Sequence, residues 1–189
     1  MFFVSRLYTG VFGLMIFVMG ACNVMAEKPS HDQEGFCVIN IPLDNPKVYV
    51  EQKTIDAKLS PFDMHVMRVA STKQTFSSIE LCDEFDDVLM SRDAFIMTDY
   101  RNHDGMGFGY NVFHTKKGHQ IVVKTTGNTH MEAGNDLADA SITGMVLSGT
   151  GPFAGVIGDY QSKEQFNWKS GQTKSVRQVL RLKKDKLGS

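Results

Sequence analysis

The segment most informative about the architecture of this chain is Ser148-Gly149-Thr150-Gly151-Pro152-Phe153-Ala154-Gly155-Val156-Ile157-Gly158-Asp159-Tyr160. One segment of alternating residues runs into it and another runs out. Gly149 and Gly151 permit a positive φ or a close approach of two backbones. Pro152 fixes φ and lacks an N–H donor for a ladder. The stretch therefore predicts a tight corner between two β-strands, with Phe153 able to fold back over the end of the sheet.

Period-two alternation continues outward from this corner. Ile121, Val123 and Thr125, for example, share one face of a predicted strand. Glycine-bearing turns such as 116–118 separate the alternating runs, which is typical of successive antiparallel hairpins. We count eight to ten strands and find helical periodicity scarce. Because closing a sheet removes its exposed edges, we predict an all-β fold, a single antiparallel β-barrel of about eight strands over 37–185.

The start of the chain differs in composition from the rest. Arg6 is the only charged residue before Glu27, and an apolar run followed by small residues lies between them. This pattern predicts a cleaved signal peptide over 1–26, because the apolar run is shorter than the roughly 20 residues of a membrane span. Cleavage before a lipidated Cys22 is the alternative. We therefore expect an exported chain, periplasmic or secreted, without a transmembrane segment and with a flexible lead-in over 27–36.

Two cysteines, Cys37 and Cys82, remain once the signal peptide is removed. In an oxidising compartment two cysteines most simply form one disulfide. Such a bond closes a loop of roughly 45 residues and contributes about 4 kcal/mol in the chain-entropy view. Two buried thiols are the alternative. The formal charge of −1 lacks the strongly basic character of nucleic-acid binders, so we expect no nucleic-acid partner.

Motifs that carry chemistry are scarce in this chain. Gly149-x-Gly151-x-x-Ala154 matches a permissive dinucleotide fingerprint, but a strand-like segment follows it where a helix N-terminus would hold the pyrophosphate. The six histidines include no His-x-x-x-His pair. The acidic run Asp83–Asp87 lacks the spacing of an EF-hand loop. We therefore predict no cofactor, no metal site and no catalytic residue.

Three segments in order resemble a known group of barrels. They are Gly107-Phe108-Gly109-Tyr110, then 117–127, then Gly149-Thr150-Gly151-Pro152-Phe153-Ala154-Gly155. Over about residues 105–183 the chain resembles secreted bacterial proteins of the allene-oxide-cyclase-like group, whose calycin-like barrels are shared with plant allene oxide cyclases and dirigent proteins. The resemblance implies an apolar cavity and is compatible with a homo-oligomer such as a trimer. It does not imply cyclase activity, since no catalytic residue of the plant enzymes aligns.

One function leads and two others remain open. We expect an exported barrel that binds a small apolar or amphipathic ligand without catalysis, in a cavity lined by inward strand residues. The residues predicted to line it are Phe108, Tyr110, Ile121, Val123, Met145 and Tyr160. The second hypothesis is a cyclase- or isomerase-like enzyme that confines its substrate, which requires a polar group inside an apolar barrel. The third is a structural or interaction protein of the cell envelope or secretome, which requires a packed interior and an exposed apolar patch.

Overall fold

The structure is a computed structural model that describes residues 28–42, 47–56, 65–101, 104–131, 136–167 and 173–185. The predicted signal peptide and Cys22 lie outside these residues. The described strands are β1 (Ser30–His31), β2 (Cys37–Asn40), β3 (Lys47–Asp56), β4 (His65–Glu80), β5 (Val88–Arg101), β6 (Asp104–Thr115), β7 (Gln120–Met131), β8 (Leu137–Gly149), β9 (Val156–Asn167) and β10 (Thr173–Lys184). A single turn of 3-10 helix, Gly151–Phe153, is the one helical element in these ranges. The all-β prediction is confirmed.

All ten strands belong to one antiparallel sheet, in the order β1-β2-β10-β9-β8-β7-β6-β5-β4-β3. From β3 to β10 each strand pairs with its neighbour in the chain, so this part is a continuous meander. The strand β2 does not follow this meander, because it pairs with β10 rather than with β3. The turn predicted at 116–118 is present, with Gly118 at φ +82° and its N–H donating to the carbonyl of Thr115 at 3.1 Å.

The sheet curls strongly, although hydrogen bonds between the described residues do not close it: β1 and β3 are its edges. β2 and β4 are seven positions apart in the strand order. A flat sheet would separate them by about 34 Å, at about 4.8 Å for each strand. Instead, the Cα atoms of Cys37 in β2 and Cys82 just beyond β4 are 5.9 Å apart. A closed barrel of about eight strands is therefore not confirmed, whereas a curled antiparallel sheet is present.

A disulfide joins Cys37 to Cys82 across a sequence separation of 45 residues. Both cysteines are buried, and the backbone N–H of Cys82 also donates to the sulfur of Cys37 at 3.2 Å. The predicted disulfide is confirmed, and the alternative of two buried thiols is wrong. The bond links two strands near opposite ends of the sheet order, so it holds the sheet in its curled shape.

Apolar side chains fill the end of the curled sheet beside the 148–160 corner. Phe153 is fully buried and stacks on Phe85, with ring centroids 5.2 Å apart. A Cβ at Gly149 would lie 2.5 Å from the carbonyl oxygen of Phe153, so this position requires glycine. Gly151 and Gly155 adopt positive φ values of +59° and +71°. The other members of this apolar cluster are Cys37, Ile39, Ile41, Phe76, Ile79, Leu81, Cys82, Leu89, Phe113, Ile121, Val123, Val156, Tyr160, Leu180 and Leu182.

Residues 28–36, which belong to the predicted lead-in, make specific contacts with β10. The Asp32 carboxylate accepts hydrogen bonds from the backbone N–H of Phe36 at 2.9 Å and from Arg181 at 2.6 Å. Arg181 also pairs with Glu34 at 2.8 Å, and its guanidinium carbon lies 4.5 Å from the centroid of the Phe36 ring. These contacts fasten the segment ahead of β2 to the outer side of the sheet.

Candidate functional site

A set of buried polar side chains points to the same side of the sheet as the apolar cluster. We call it the polar belt; its members are Thr72, Gln74, Arg92, Asn111, Thr125, Ser162, Glu164 and Gln178. Strand alternation places them there, because residues two apart share a face. On β9 the inward series runs from Tyr160 through Ser162 and Glu164 to Phe166. The belt thus lies between the apolar cluster and a smaller one formed by Ala138, Ala140 and Phe166.

The centre of the polar belt is a contact between Arg92 and Tyr160. Arg92 is 2% exposed and Tyr160 is fully buried. Nη1 of Arg92 donates a hydrogen bond to the phenol oxygen of Tyr160, and the guanidinium carbon lies 5.7 Å from the centroid of the phenol ring. Arg92 is on β5 and Tyr160 on β9, four positions apart in the strand order. The hydrogen bond therefore crosses the interior of the curled sheet.

The phenol of Tyr160 is neutral at physiological pH. Burial raises its pKa, and the nearby charge of Glu164 acts in the same direction. The positive charge of Arg92, its hydrogen bond to the phenol and the neighbouring Ser162 lower the pKa and only partly oppose this effect. Ser162 also donates its hydroxyl to the Glu164 carboxylate at 2.9 Å. A neutral phenol here keeps its proton, so it can accept one hydrogen bond and donate another.

A cavity of about 80 Å³ lies next to the polar belt on the buried face. The charged residues among the described part of its lining are Arg68, Arg92 and Glu164, which together carry a formal charge of +1. Its other lining side chains include the polar residues Thr98, Asn111 and Thr125 and the apolar residues Ala70, Ala94, Ile96, Ala140, Ile142 and Phe166. Since one water needs roughly 15 Å³ of such space, the cavity can hold several waters or part of a small organic molecule.

The six residues predicted to line a cavity do not share one face of the sheet. Ile121, Val123 and Tyr160 are buried within the apolar cluster. The other three are exposed on the opposite face: Phe108 is 52%, Tyr110 42% and Met145 63% exposed. Of the six, only Phe108 also borders the cavity next to the polar belt. The expectation that all six point into one interior is therefore wrong for the exposed three, and ligand binding by the buried three stays a prediction.

The orientation error has a physical reason in β6. This strand carries apolar residues on both faces, so alternation alone does not identify the inward one. Asn111 and Phe113 are buried, whereas Phe108 and Tyr110 face outward. Assigning the apolar residues to the interior therefore selected the wrong face of the strand.

Sequence reasoning also missed Arg92 and Glu164, because arginine and glutamate are almost never buried unless they are paired. A signal for both was present. Arg92 alternates in step with Ala94 on β5, and Glu164 alternates in step with Tyr160 and Phe166 on β9. An interior assigned from the whole alternating series, rather than from apolar type alone, would have included both residues.

Within the described ranges, one group of side chains lies close enough together to be tested as a metal site. Potential ligand atoms of His31, Cys82 and Glu84 all lie within 4.8 Å of one another. The Cys82 sulfur is engaged in the disulfide, and Nε2 of His31 lies 2.9 Å from the carboxylate of Glu84. Two exposed ligands that already pair with each other are too few for a stable metal site.

Comparisons of the chain with protein-family models, curated proteins and solved structures find no match. The resemblance to allene-oxide-cyclase-like barrels therefore stays a prediction. No helix in the described ranges is long and apolar enough to cross a membrane. The class of the protein is defined by its structure: an all-β chain with one curled antiparallel sheet, one disulfide, and a polar belt beside a small cavity on the buried face.

Proposed function

We propose that this protein is exported and that its curled sheet is a barrel-like container for a small amphipathic ligand, which it binds without catalysis. The observation that carries the proposal is the cavity of about 80 Å³, whose wall combines apolar side chains with Arg68, Arg92 and Glu164. Ligand sites in proteins are typically apolar cavities with a few placed polar groups.

The shape of the interior supports a ligand that enters from one end. Phe153 and Phe85 fill the end beside the corner, and the polar belt lies above them. Ala70, Ala94 and Ala140 line the cavity, and their short side chains leave the space that larger residues would fill. The apolar part of a ligand would lie against Ile96 and Ile142, with its polar end toward the polar belt.

The disulfide supports export. Disulfides persist in oxidising compartments and are rare in reducing ones, and the Cys37–Cys82 bond is buried in the core of the sheet. Together with the predicted signal peptide over 1–26, this favours a periplasmic or secreted protein. Anchoring through a lipid on Cys22 remains the alternative.

The polar belt favours a second candidate, an enzyme that confines a reactive substrate. Such a cyclase or isomerase needs a polar group inside the barrel, and Arg92 with the neutral Tyr160 meets that requirement. Arg92, which borders the cavity, would donate a hydrogen bond to an oxygen of the substrate, and Tyr160 would hold its guanidinium in place. Isomerisation of a bound molecule that stops in Tyr160→Phe would favour this candidate over simple binding.

An apolar patch on the outer face favours the third candidate, an interaction protein or a homo-oligomer. Phe95 lies opposite Tyr110 and Met97 opposite Phe108 on the paired strands β5 and β6, and three of these four are exposed. Exposed apolar patches frequently mark protein interfaces. Light scattering after size exclusion, with Phe108→Glu as the variant, measures this: an oligomer that becomes a monomer supports the third candidate.

Native and denaturing mass spectrometry of the protein recovered from the compartment in which it accumulates tests the leading proposal. The denatured mass identifies the N-terminus, and so distinguishes cleavage after Ala26 from lipidation of Cys22. A bound mass that is lost on denaturation is the expected result. Ala94→Phe and Ala140→Phe fill the cavity and should lose that mass, whereas Met145→Phe on the outer face should retain it.

A wild-type protein that carries no small molecule would contradict the proposal if it also failed to bind aliphatic and aromatic acids, alcohols and amides in calorimetry. So would a bound mass that both cavity-filling variants retain. Circular dichroism of each variant shows that it is folded, and because two positions are filled independently, one misfolded variant leaves the other to decide.

A further inference from the structure

We infer that Arg92 is an anion-binding subsite that takes the carboxylate group of the ligand. The inference rests on the proposed function, since it specifies the chemistry of the ligand that the container holds. It goes beyond that proposal because an amphipathic ligand could equally present an alcohol, an amide or an amine to the polar belt.

The first argument is the state of the guanidinium group. Arg92 is 2% exposed, and arginine stays protonated even when it is buried. Among the described residues its one hydrogen-bond partner is the neutral phenol of Tyr160, and no ion pair joins it to a carboxylate. Its Nε is buried and has no hydrogen-bond partner among the described residues. A buried charge is costly unless it is paired, so this guanidinium is built to receive an anion.

The second argument is position. Arg92 borders the cavity of about 80 Å³, so a guanidinium that forms no ion pair with another described residue lies where a ligand can reach it. Nη1 donates one of its two N–H groups to Tyr160, and no hydrogen bond to another described residue involves Nη2, so the Nη1–Nη2 edge of the guanidinium plane is left for a ligand. Two parallel N–H groups on one edge match the two oxygens of a carboxylate, which is the geometry that distinguishes arginine from lysine.

The third argument is the charge balance of the cavity wall. Among the described lining residues, Arg68 and Arg92 are positive and Glu164 is negative, so their formal charges sum to +1. The Glu164 carboxylate already accepts the hydroxyl of Ser162 at 2.9 Å. A ligand that brings one negative charge makes the wall neutral, whereas a cationic ligand would raise its charge to +2. The wall therefore favours a monocarboxylate over an amine.

Calorimetric titration with matched acid and amide pairs tests the inference. The probes are hexanoate with hexanamide and benzoate with benzamide, which distinguish aliphatic from aromatic acids at nearly constant shape. We expect the wild-type protein to bind at least one acid tenfold or more tightly than its amide. Arg92→Met should reduce this preference below twofold, while Arg177→Met, which removes an exposed arginine on β10, should leave it unchanged.

Two further measurements separate ligand binding from a structural role of Arg92. Without ligand, Arg92→Met should melt at the wild-type temperature or above it, because an unpaired buried charge is removed. Tyr160→Phe retains the guanidinium and should keep the preference for the acid, which makes it a second route to the answer if Arg92→Met does not fold. A preference for the acid that persists in Arg92→Met, or that is lost in Tyr160→Phe, would overturn the inference.

The failure of the inference and that of the proposed function are distinguishable. Equal affinity of the wild-type protein for acid and amide refutes the carboxylate subsite and leaves the container standing. A neutral ligand found in the protein from its own compartment does the same. If no probe binds and the recovered protein carries no small molecule, the container proposal and the subsite both fail.

Discussion

Removing the disulfide should destabilise this protein by about 4 kcal/mol, because the bond constrains a long loop of the unfolded chain. The sequence separation of Cys37 and Cys82 is 45 residues, and the chain-entropy relation for a loop of that length gives this value at 25 °C. A chain of this size loses roughly 2–4 °C of melting temperature for each kcal/mol. The double variant Cys37→Ala/Cys82→Ala should therefore melt about 8–16 °C below the wild type.

Urea denaturation followed by far-UV circular dichroism measures this loss directly. The slope of the transition checks that the variant still unfolds in one step from an equally compact state. Dithiothreitol is the control: it should lower the midpoint of the wild type toward that of the double variant and leave the double variant unchanged.

The bond also spans the curled sheet. β2 and β4 lie seven positions apart in the strand order, and the bond brings their neighbouring cysteines to a Cα distance of 5.9 Å. A loss of unfolding free energy below about 1 kcal/mol, far under the chain-entropy value, would contradict the prediction that the disulfide stabilises the fold through the unfolded chain. So would a wild-type midpoint that does not respond to reduction.

Three further predictions concern the corner, the N-terminal segment and the two faces of the sheet. Phe153→Ala should cost about 3–5 kcal/mol in urea denaturation, because a fully buried ring is removed. The backbone N–H of Phe36 lowers the pKa of Asp32 from 3.8, so the ionised carboxylate stabilises the fold above pH 3.8, and this contribution is lost as the pH falls through the lowered pKa. The melting temperature of Asp32→Asn should therefore depend less on pH between 2 and 4 than that of the wild type. Identical pH profiles of the two proteins would contradict this. Val123→Glu on the buried face should prevent folding, whereas Met145→Glu on the exposed face should change the free energy of unfolding by less than about 0.5 kcal/mol. Similar stabilities of the two variants would show that the two faces of the sheet are misassigned.

Local chemistry explains why much of the fold could be predicted. The turns and the corner depend on glycines that adopt a positive φ or admit a close backbone, such as Gly118 and Gly149, and these requirements are local to the chain. The disulfide followed because only two cysteines remain beyond the predicted signal peptide. On β7 the buried face was also predicted correctly, since Ile121 and Val123 alternate with residues that include the charged Lys124.

The candidate site was largely not predictable for a reason that applies to each of its residues. Whether Arg92 is buried depends on β9, which follows it by more than 50 residues and reaches it only because the sheet curls. The same curl decides that Asn111, rather than Phe108, faces inward on β6.

The all-β class, the turn at 116–118, the corner at 148–160 and the disulfide pairing could thus be read from the amino-acid sequence, because each depends on nearby residues or on the number of cysteines. How far the sheet closes, which face of β6 is buried, and the contact between the Arg92 guanidinium and the Tyr160 phenol follow only from the folded structure. These features depend on contacts between distant strands. Burial of a polar side chain is favourable only where such contacts give it a partner.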